Sequence, residues 1–157
     1  MKWFWLSSLF VFLLDRLSKF LVAKELAEGA LIKILPFFNL VKVWNYGIAF
    51  GIFNHGPEKG KSLLLIIGTG LLLFACLILA LKSSKKPGEK LFTIGLGLIL
   101  GGGIGNLYDR IVYGRVLDFL DFHLGRYHWP AFNVADAGVT VGMFLVLIHL
   151  VRTERCS

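Results

Sequence analysis

Four segments of this chain are long and apolar enough to cross a lipid bilayer, and that sets the solvent in which it folds. Residues 63–81 are almost purely apolar, 91–107 are apolar and rich in glycine, and 134–151 are apolar to near the carboxyl end. Residues 3–23 are apolar but interrupted by Asp15, Arg16 and Lys19. A helix needs about 20 such residues to span the hydrocarbon. The composition agrees: 56% of the residues are hydrophobic and the mean hydropathy is +0.72, well above a soluble domain. With 157 residues there is room for one unit only. The expectation is a single membrane-embedded domain over residues 1–157, an α-helical integral membrane protein with four transmembrane helices.

The first segment also has the outline of a secretory leader, with Lys2, an apolar stretch and a small-residue site at Ala27-Glu28-Gly29. Its charges begin well before that site, so Asp15 and Lys19 read better as retained residues. The net charge of +7 does not form a continuous basic patch. The cations lie between the apolar runs, as topology signals do, and nucleic acid is not an expected partner. With the amino terminus inside, the inner cations (Lys2, Lys82, Lys85, Lys86, Lys90, Arg152, Arg155) crowd into short segments. The outer ones are spread over longer loops. Short segments carry the rule, so both termini and the 82–90 loop are expected in the cytoplasm.

This orientation gathers the unusual polar residues at one membrane face. Asp15 and Lys19 fall in the outer half of the first span, Asn106, Asp109 and Arg110 at the outer end of the third, and Asp136 at the outer start of the fourth. Asn45 and Asp118 fall in the two outer loops. In the first of these loops, Leu40-Val41-Lys42-Val43-Trp44 reads as a short strand or hairpin resting at the interface, followed by a turn at Asn45-Tyr46-Gly47. The second carries Phe119, Phe122, Tyr127, Trp129 and Phe132, residues suited to a headgroup boundary. Val116 to Leu124 is expected there as a short interfacial helix.

Each polar group admits two roles. Asp15 and Lys19 stand at i and i+4 in the favourable order for a helical ion pair, as a structural clamp or as a support for a polar substrate. The glycines at 101, 102, 103 and 105 have no Walker lysine after them and read as a helix-packing surface. Asp109 beside Arg110 is a structural cap or a substrate contact. Asp118, in Val116-Leu117-Asp118-Phe119, and Asp136, in Phe132-Asn133-Val134-Ala135-Asp136, are carboxylates among apolar neighbours. Such groups are costly near hydrocarbon. Two of them sharing one proton can activate water. The Trp129-Pro130 break lets the chain between them fold back; Asp121 is a rival partner and Asp109 a weaker one, since Arg110 would keep it ionised. Cys76 and Cys156 form no disulfide framework, and His55, His123, His128 and His149 are too scattered for a metal-binding pair. A proton-relay transporter using Asp15, Asp109 and Asp136, or a non-catalytic anchoring subunit, are the other classes open to such a chain.

Together these motifs resemble the lipoprotein signal peptidases (signal peptidase II), membrane aspartyl peptidases of bacteria. The matching residues run in order over nearly the whole chain: Asp15-x-x-Ser18-Lys19; Asn45-x-Gly47-x-Ala49-Phe50; Gly102-Gly103; Gly105-Asn106-Leu107-x-Asp109-Arg110; Val116-x-Asp118-Phe119; Trp129-Pro130-x-Phe132-Asn133-x-Ala135-Asp136. The resemblance implies Asp118 and Asp136 as the catalytic pair, working without metal or cofactor. It implies that Asn45, Asn106, Arg110 and Asn133 line the site and hold the substrate backbone, with Asp15, Lys19, Gly47 and Asp109 in support. The implied substrate is a prolipoprotein whose cysteine carries diacylglycerol, cut on the amino side of that cysteine. The implied setting is the bacterial cytoplasmic membrane, with a monomeric enzyme among membrane lipids. Its site would open to the extracytoplasmic face beneath a β-cradle.

Overall fold

The computed structural model describes residues 1–47, 59–83 and 89–154. Among these the chain runs α1 (Lys2–Glu25), β1 (Leu31–Leu35), β2 (Phe38–Asn45), α2 (Lys59–Ser83), α3 (Lys90–Tyr113), β3 (Val116–Leu124), β4 (Tyr127–His128) and α4 (Val134–Glu154). Three stretches, Leu63–Ser83, Lys90–Tyr113 and Val134–Thr153, are long and apolar enough to cross a membrane. The charges at Asp15, Arg16 and Lys19 set α1 apart from them.

α3 is the axis of the bundle and packs against α1, α2 and α4. Its glycines serve three faces. Gly97, Gly101 and Gly105 stand four residues apart on the side of α1. A Cβ at Gly97 or Gly101 would collide with the backbone carbonyl of Phe4 or Ser8, and one at Gly105 would stand 2.7 Å from Asp15 Oδ2. Gly95 and Gly102 meet the backbone of α4 at Gly142 and Ala135, while Gly103 meets Leu73 of α2. Helices in lipid gain nothing by hiding apolar side chains from one another, so such close backbone approach is what holds them. α1 answers with an inward stripe of Phe4, Ser8, Val11, Asp15, Lys19 and Val22, spaced by three or four residues so that one face is buried. Ser7 Oγ crosses to the carbonyl of Ile94 at 3.1 Å.

α3 ends at Gly114, whose φ of 69° places it in the left-handed region, with its N–H on the Arg110 carbonyl at 3.1 Å. The chain then turns directly into β3. The four strands form one antiparallel sheet in the order β1-β2-β3-β4. Asn39 faces Asp121 and Val43 faces Asp118, with a register shift between Leu40 and Val43. After β4 the chain doubles back: Phe132 exchanges backbone hydrogen bonds with Leu120 at 2.8 and 3.1 Å, and α4 begins two residues later.

The strand expected near residues 40–44 is the body of β2, and β1 completes the hairpin. The short helix expected over Val116–Leu124 is not there: that segment is β3, the longest strand among the described residues. Its sequence allows a helix, but the second edge of β2 needs a partner for its N–H and C=O groups, and β3 supplies it. Ala49 and Phe50 lie outside the described residues, as do His55, Lys85, Lys86, Arg155 and Cys156.

Gly101→Val should push α1 off α3 and lower the thermal unfolding midpoint in detergent, with a cost of about 1–3 kcal/mol or more. Gly70→Ala in α2, where an added Cβ meets nothing within 4 Å, should leave the midpoint unchanged or slightly higher. Equal behaviour of the two variants would refute close approach as the reason for the α3 glycines.

Candidate active site

Asp118 is delivered by β3 and Asp136 by the first turn of α4. Asn133 is fully buried and joined to both. Its Nδ2 donates to Asp118 Oδ1 at 2.7 Å, and its backbone N–H donates to Asp136 Oδ2 at 3.2 Å. Its Oδ1 in turn accepts from the Asp136 N–H at 3.0 Å. This reciprocal pair is the capping box that starts a helix, so the contacts that begin α4 also aim the carboxylate.

The remaining oxygens are held as well. Asn45 Nδ2 donates to Asp118 Oδ2 at 3.0 Å, while Asn45 Oδ1 accepts from the Gly47 N–H at 2.9 Å. Asn106 Nδ2 donates to Asp136 Oδ1 at 2.7 Å. Arg110 donates to the Gly47 carbonyl at 3.0 Å, tying α3 to the end of β2. The three asparagines expected to line the site therefore turn their amides toward the carboxylates.

Behind this layer lies a quartet of charges. Lys19 Nζ stands 3.0 Å from Asp15 Oδ2 and 2.8 Å from Asp109 Oδ2. Arg16 reaches the same two acids at 3.0 and 2.7 Å. Asp15 is fully buried and Lys19 is 4% exposed. The quartet is neutral in sum, and two of its members extend outward from it. Asp15 Oδ1 accepts the Ala135 N–H at 3.0 Å, and Lys19 donates to Asn106 Oδ1 at 2.9 Å. A continuous path runs from Lys19 through Asn106 to Asp136.

Asp118 is 4% exposed. Burial, then the nearby charge of Asp136, pushes its carboxyl up to about 7, against the opposing hydrogen bonds of Asn45 and Asn133. Asp121 has the opposite character. Burial works to raise it, but Asn39 at 2.8 Å and His128 at 2.9 Å outweigh that and hold it below the usual carboxylate range. Residues three apart on a strand point to opposite faces, which separates Asp121 from Asp118. A helix would have put them on one side. Among the described residues no cluster of His, Cys, Asp and Glu is suited to a metal ion.

The sequence of residues 7–152 matches the family model for signal peptidase (SPase) II. The chain belongs to the signal peptidase II family. It is 44% identical over 153 residues to the lipoprotein signal peptidase of Burkholderia thailandensis, covering 96% of this chain and 89% of that one. It is likewise 44% identical over 155 residues to the enzyme of the same name from Burkholderia cenocepacia, covering 98% and 90%. A bacterial membrane enzyme solved by the in meso method at 2.3 Å superposes with a TM-score of 0.84 at 29% identity, over 95% of this chain and 87% of that one. A second, solved at 1.9 Å, gives 0.76 at 30% identity over 92% and 90%.

As a signal peptidase II, the chain is a membrane peptidase, and its geometry departs from the sequence reading at one pairing. Asp109 does not pair with the adjacent Arg110. Neighbours on a helix point apart, so Asp109 meets Arg16 and Lys19 while Arg110 turns to Gly47. Arg16 was not among the expected site residues. The surplus of acids, Asp15 and Asp109 against Lys19 alone, is the signal that a second cation was required.

Lys19→Met should leave Asp15 and Asp109 sharing one cation and Asn106 Oδ1 without its donor. Breaking a buried pair costs about 3–5 kcal/mol, so a large drop in the unfolding midpoint is expected; an unchanged midpoint would show that the quartet carries no stability. A second expectation concerns pH. Between the ordinary value of 3.8 and about 7, the folded state keeps a proton on Asp118 that the unfolded chain has released. The contribution of Asp118 to stability is thus complete below pH 3.8 and lost as pH rises through 7. Unfolding midpoints from pH 4 to 8 should fall less steeply with pH in Asp118→Asn than in the parent. Parallel curves would mean that Asp118 titrates as an ordinary carboxylate.

Proposed function

We propose that the chain is an aspartic endopeptidase that removes the signal peptide from prolipoproteins, cutting on the amino side of a cysteine that carries diacylglycerol. The observation that carries this reading is Asn133, which is hydrogen-bonded to both Asp118 and Asp136 and so fixes them as one unit. Two carboxylates held this close do not both ionise cheaply, and one keeps a proton. Asp118 is the better holder, since its carboxyl is pushed up to about 7.

The chemistry then proceeds without a covalent intermediate. Asp136, ionised, takes a proton from water as the water oxygen adds to the scissile carbonyl. Asp118 donates its proton to the carbonyl oxygen; the tetrahedral adduct then collapses as the C–N bond breaks, one of its hydroxyls returning a proton to Asp118. The proton taken by Asp136 goes to the departing amine. Asn45, Asn106 and Asn133 are positioning residues here, because their amides fix the carboxylate rotamers. Arg110 and the 45–47 turn form the rim that meets the substrate backbone.

The proposed setting follows from the faces of the bundle. Leu6, Phe10, Leu13, Leu17 and Phe20 of α1 are each more than half exposed, which suits a lipid-facing surface and makes α1 the fourth span. The carboxylates lie at the end of the bundle that carries the sheet, and the lysine pattern puts that end outside the cytoplasm. Water enters from that side while the lipid of the substrate stays in the bilayer. A monomer holds every group this mechanism uses.

Purified Asp118→Asn and Asp136→Asn, assayed on a diacylglyceryl-modified prolipoprotein, should each lose cleavage by about a thousandfold or more. The double variant should be scarcely worse, since residues acting as one unit are not additive. Asp121→Asn should retain most activity. Substantial turnover by either single variant, free of parent enzyme, would sink the aspartic mechanism.

A further inference from the structure

A cavity of about 540 Å³ opens where α1 and α3 meet the sheet, and neither Asp118 nor Asp136 lines it. Its size is that of a small-ligand site. Arg16, Lys19 and Tyr108 wall it from the helices, Lys42 and Trp44 from β2, and Arg115 from the bend just before β3. Asp109 is the one carboxylate in this lining, and with Asp15 it balances Arg16 and Lys19. Lys42 and Arg115 meet no carboxylate among the described residues. They are nevertheless held in place. Lys42 Nζ donates to the carbonyls of Ala23 and Leu26, both at 2.7 Å, at the end of α1. The Arg115 guanidinium lies 4.0 Å over the Trp44 ring and donates to the Tyr46 hydroxyl at 2.9 Å. Arg16 Nε is buried with no hydrogen-bond partner among the described residues.

The cavity thus has fixed positive charge left over after its internal pairs are counted, and aromatic walls. Excess positive charge in a partly enclosed, low-dielectric space favours an anion. A guanidinium and an ammonium held on different walls suit a phosphate, whose several oxygens can take both. The cavity also carries an apolar exit: Phe20 lines it and is 63% exposed on the lipid-facing side of α1. Tryptophan and tyrosine at this level mark the headgroup boundary.

We infer that this cavity holds the headgroup phosphate of an anionic glycerophospholipid, with Lys42 and Arg115 as its main contacts and the acyl chains lying along Phe20. The diacylglyceryl group of the proposed substrate carries no phosphate, so this is a separate lipid site, and it does not depend on the peptidase reading.

Native mass spectrometry of the full chain in mild detergent tests it, with phosphatidylglycerol and phosphatidylcholine of matched acyl chains supplied at equal concentration. The parent should retain one phosphatidylglycerol in clear preference. Lys42→Gln combined with Arg115→Gln should weaken that retention by roughly an order of magnitude. Arg115→Gln alone, which leaves the Lys42 cap of α1 intact, should weaken it several-fold, so the inference stays testable if the double variant folds poorly. Arg126→Gln, which removes an exposed cation outside the cavity, should retain the lipid as the parent does. Equal retention of both lipids by the parent, or equal losses in Arg115→Gln and Arg126→Gln, would overturn the site. Tight binding of inorganic phosphate supplied alone, with no lipid retained, would assign the anion to solution and overturn the lipid.

Discussion

The largely buried quartet of Asp15, Arg16, Lys19 and Asp109 is the constraint on which the rest of the structure depends. An isolated charge at the edge of hydrocarbon is costly, and a buried pair is tolerable only if its remaining protons and lone pairs are also satisfied. Here two acids and two bases cancel, and capacity left over on Asp15 and Lys19 is directed outward. The second oxygen of Asp15 takes the N–H of Ala135 in the first turn of α4, and Lys19 donates to Asn106, whose amide holds Asp136. Satisfying the quartet therefore sets the position of α4 and the rotamer of one carboxylate of the pair.

That arrangement demands that α1, α3 and α4 come very close, and the glycines permit it. Gly105 leaves the space that Asp15 occupies, and Gly101 and Gly102, adjacent in sequence, face α1 and α4 respectively. A helix with ordinary side chains at these positions would stand farther off, and the Lys19 ammonium could no longer reach Asp109 and Asn106 together. Packing and electrostatics are thus one design in this bundle, since the close approach that binds helices in lipid is also what brings the ions within reach.

The bundle was largely legible in the sequence because apolar length is a strong signal, and the run at 40–44 announced its strand by β-branched residues. The strand at Val116–Leu124 was not legible. Val-Leu-Asp-Phe-Leu-Asp-Phe supports either a helix or a strand, and a partner edge distant in sequence decides between them. Asp121 looked like a rival because it lies in the same loop as Asp118; on the strand, three residues on, it points to the opposite face. Asp15 and Lys19 were readable as a pair from their spacing, but the reach of Arg16 to Asp109 depends on how two helices are rotated against each other. Asn133 was found as a family position, yet its bond to both aspartates comes from the return of the chain along β3, which no local pattern encodes.

The two aspartates are not equivalent, and in the proposed mechanism their different settings supply the asymmetry that acid–base work uses. Asp136 sits in the first turn of a helix, where the free N–H groups and the dipole favour negative charge, and it closes a capping box with Asn133. Asp118 sits on a strand with no such field. Among the described residues it receives the amides of Asn45 and Asn133 and feels the charge of its neighbour. In the proposed mechanism, placing one at a helix start and the other on a buried strand separates their tasks before any substrate arrives, and Asn133 links the two settings.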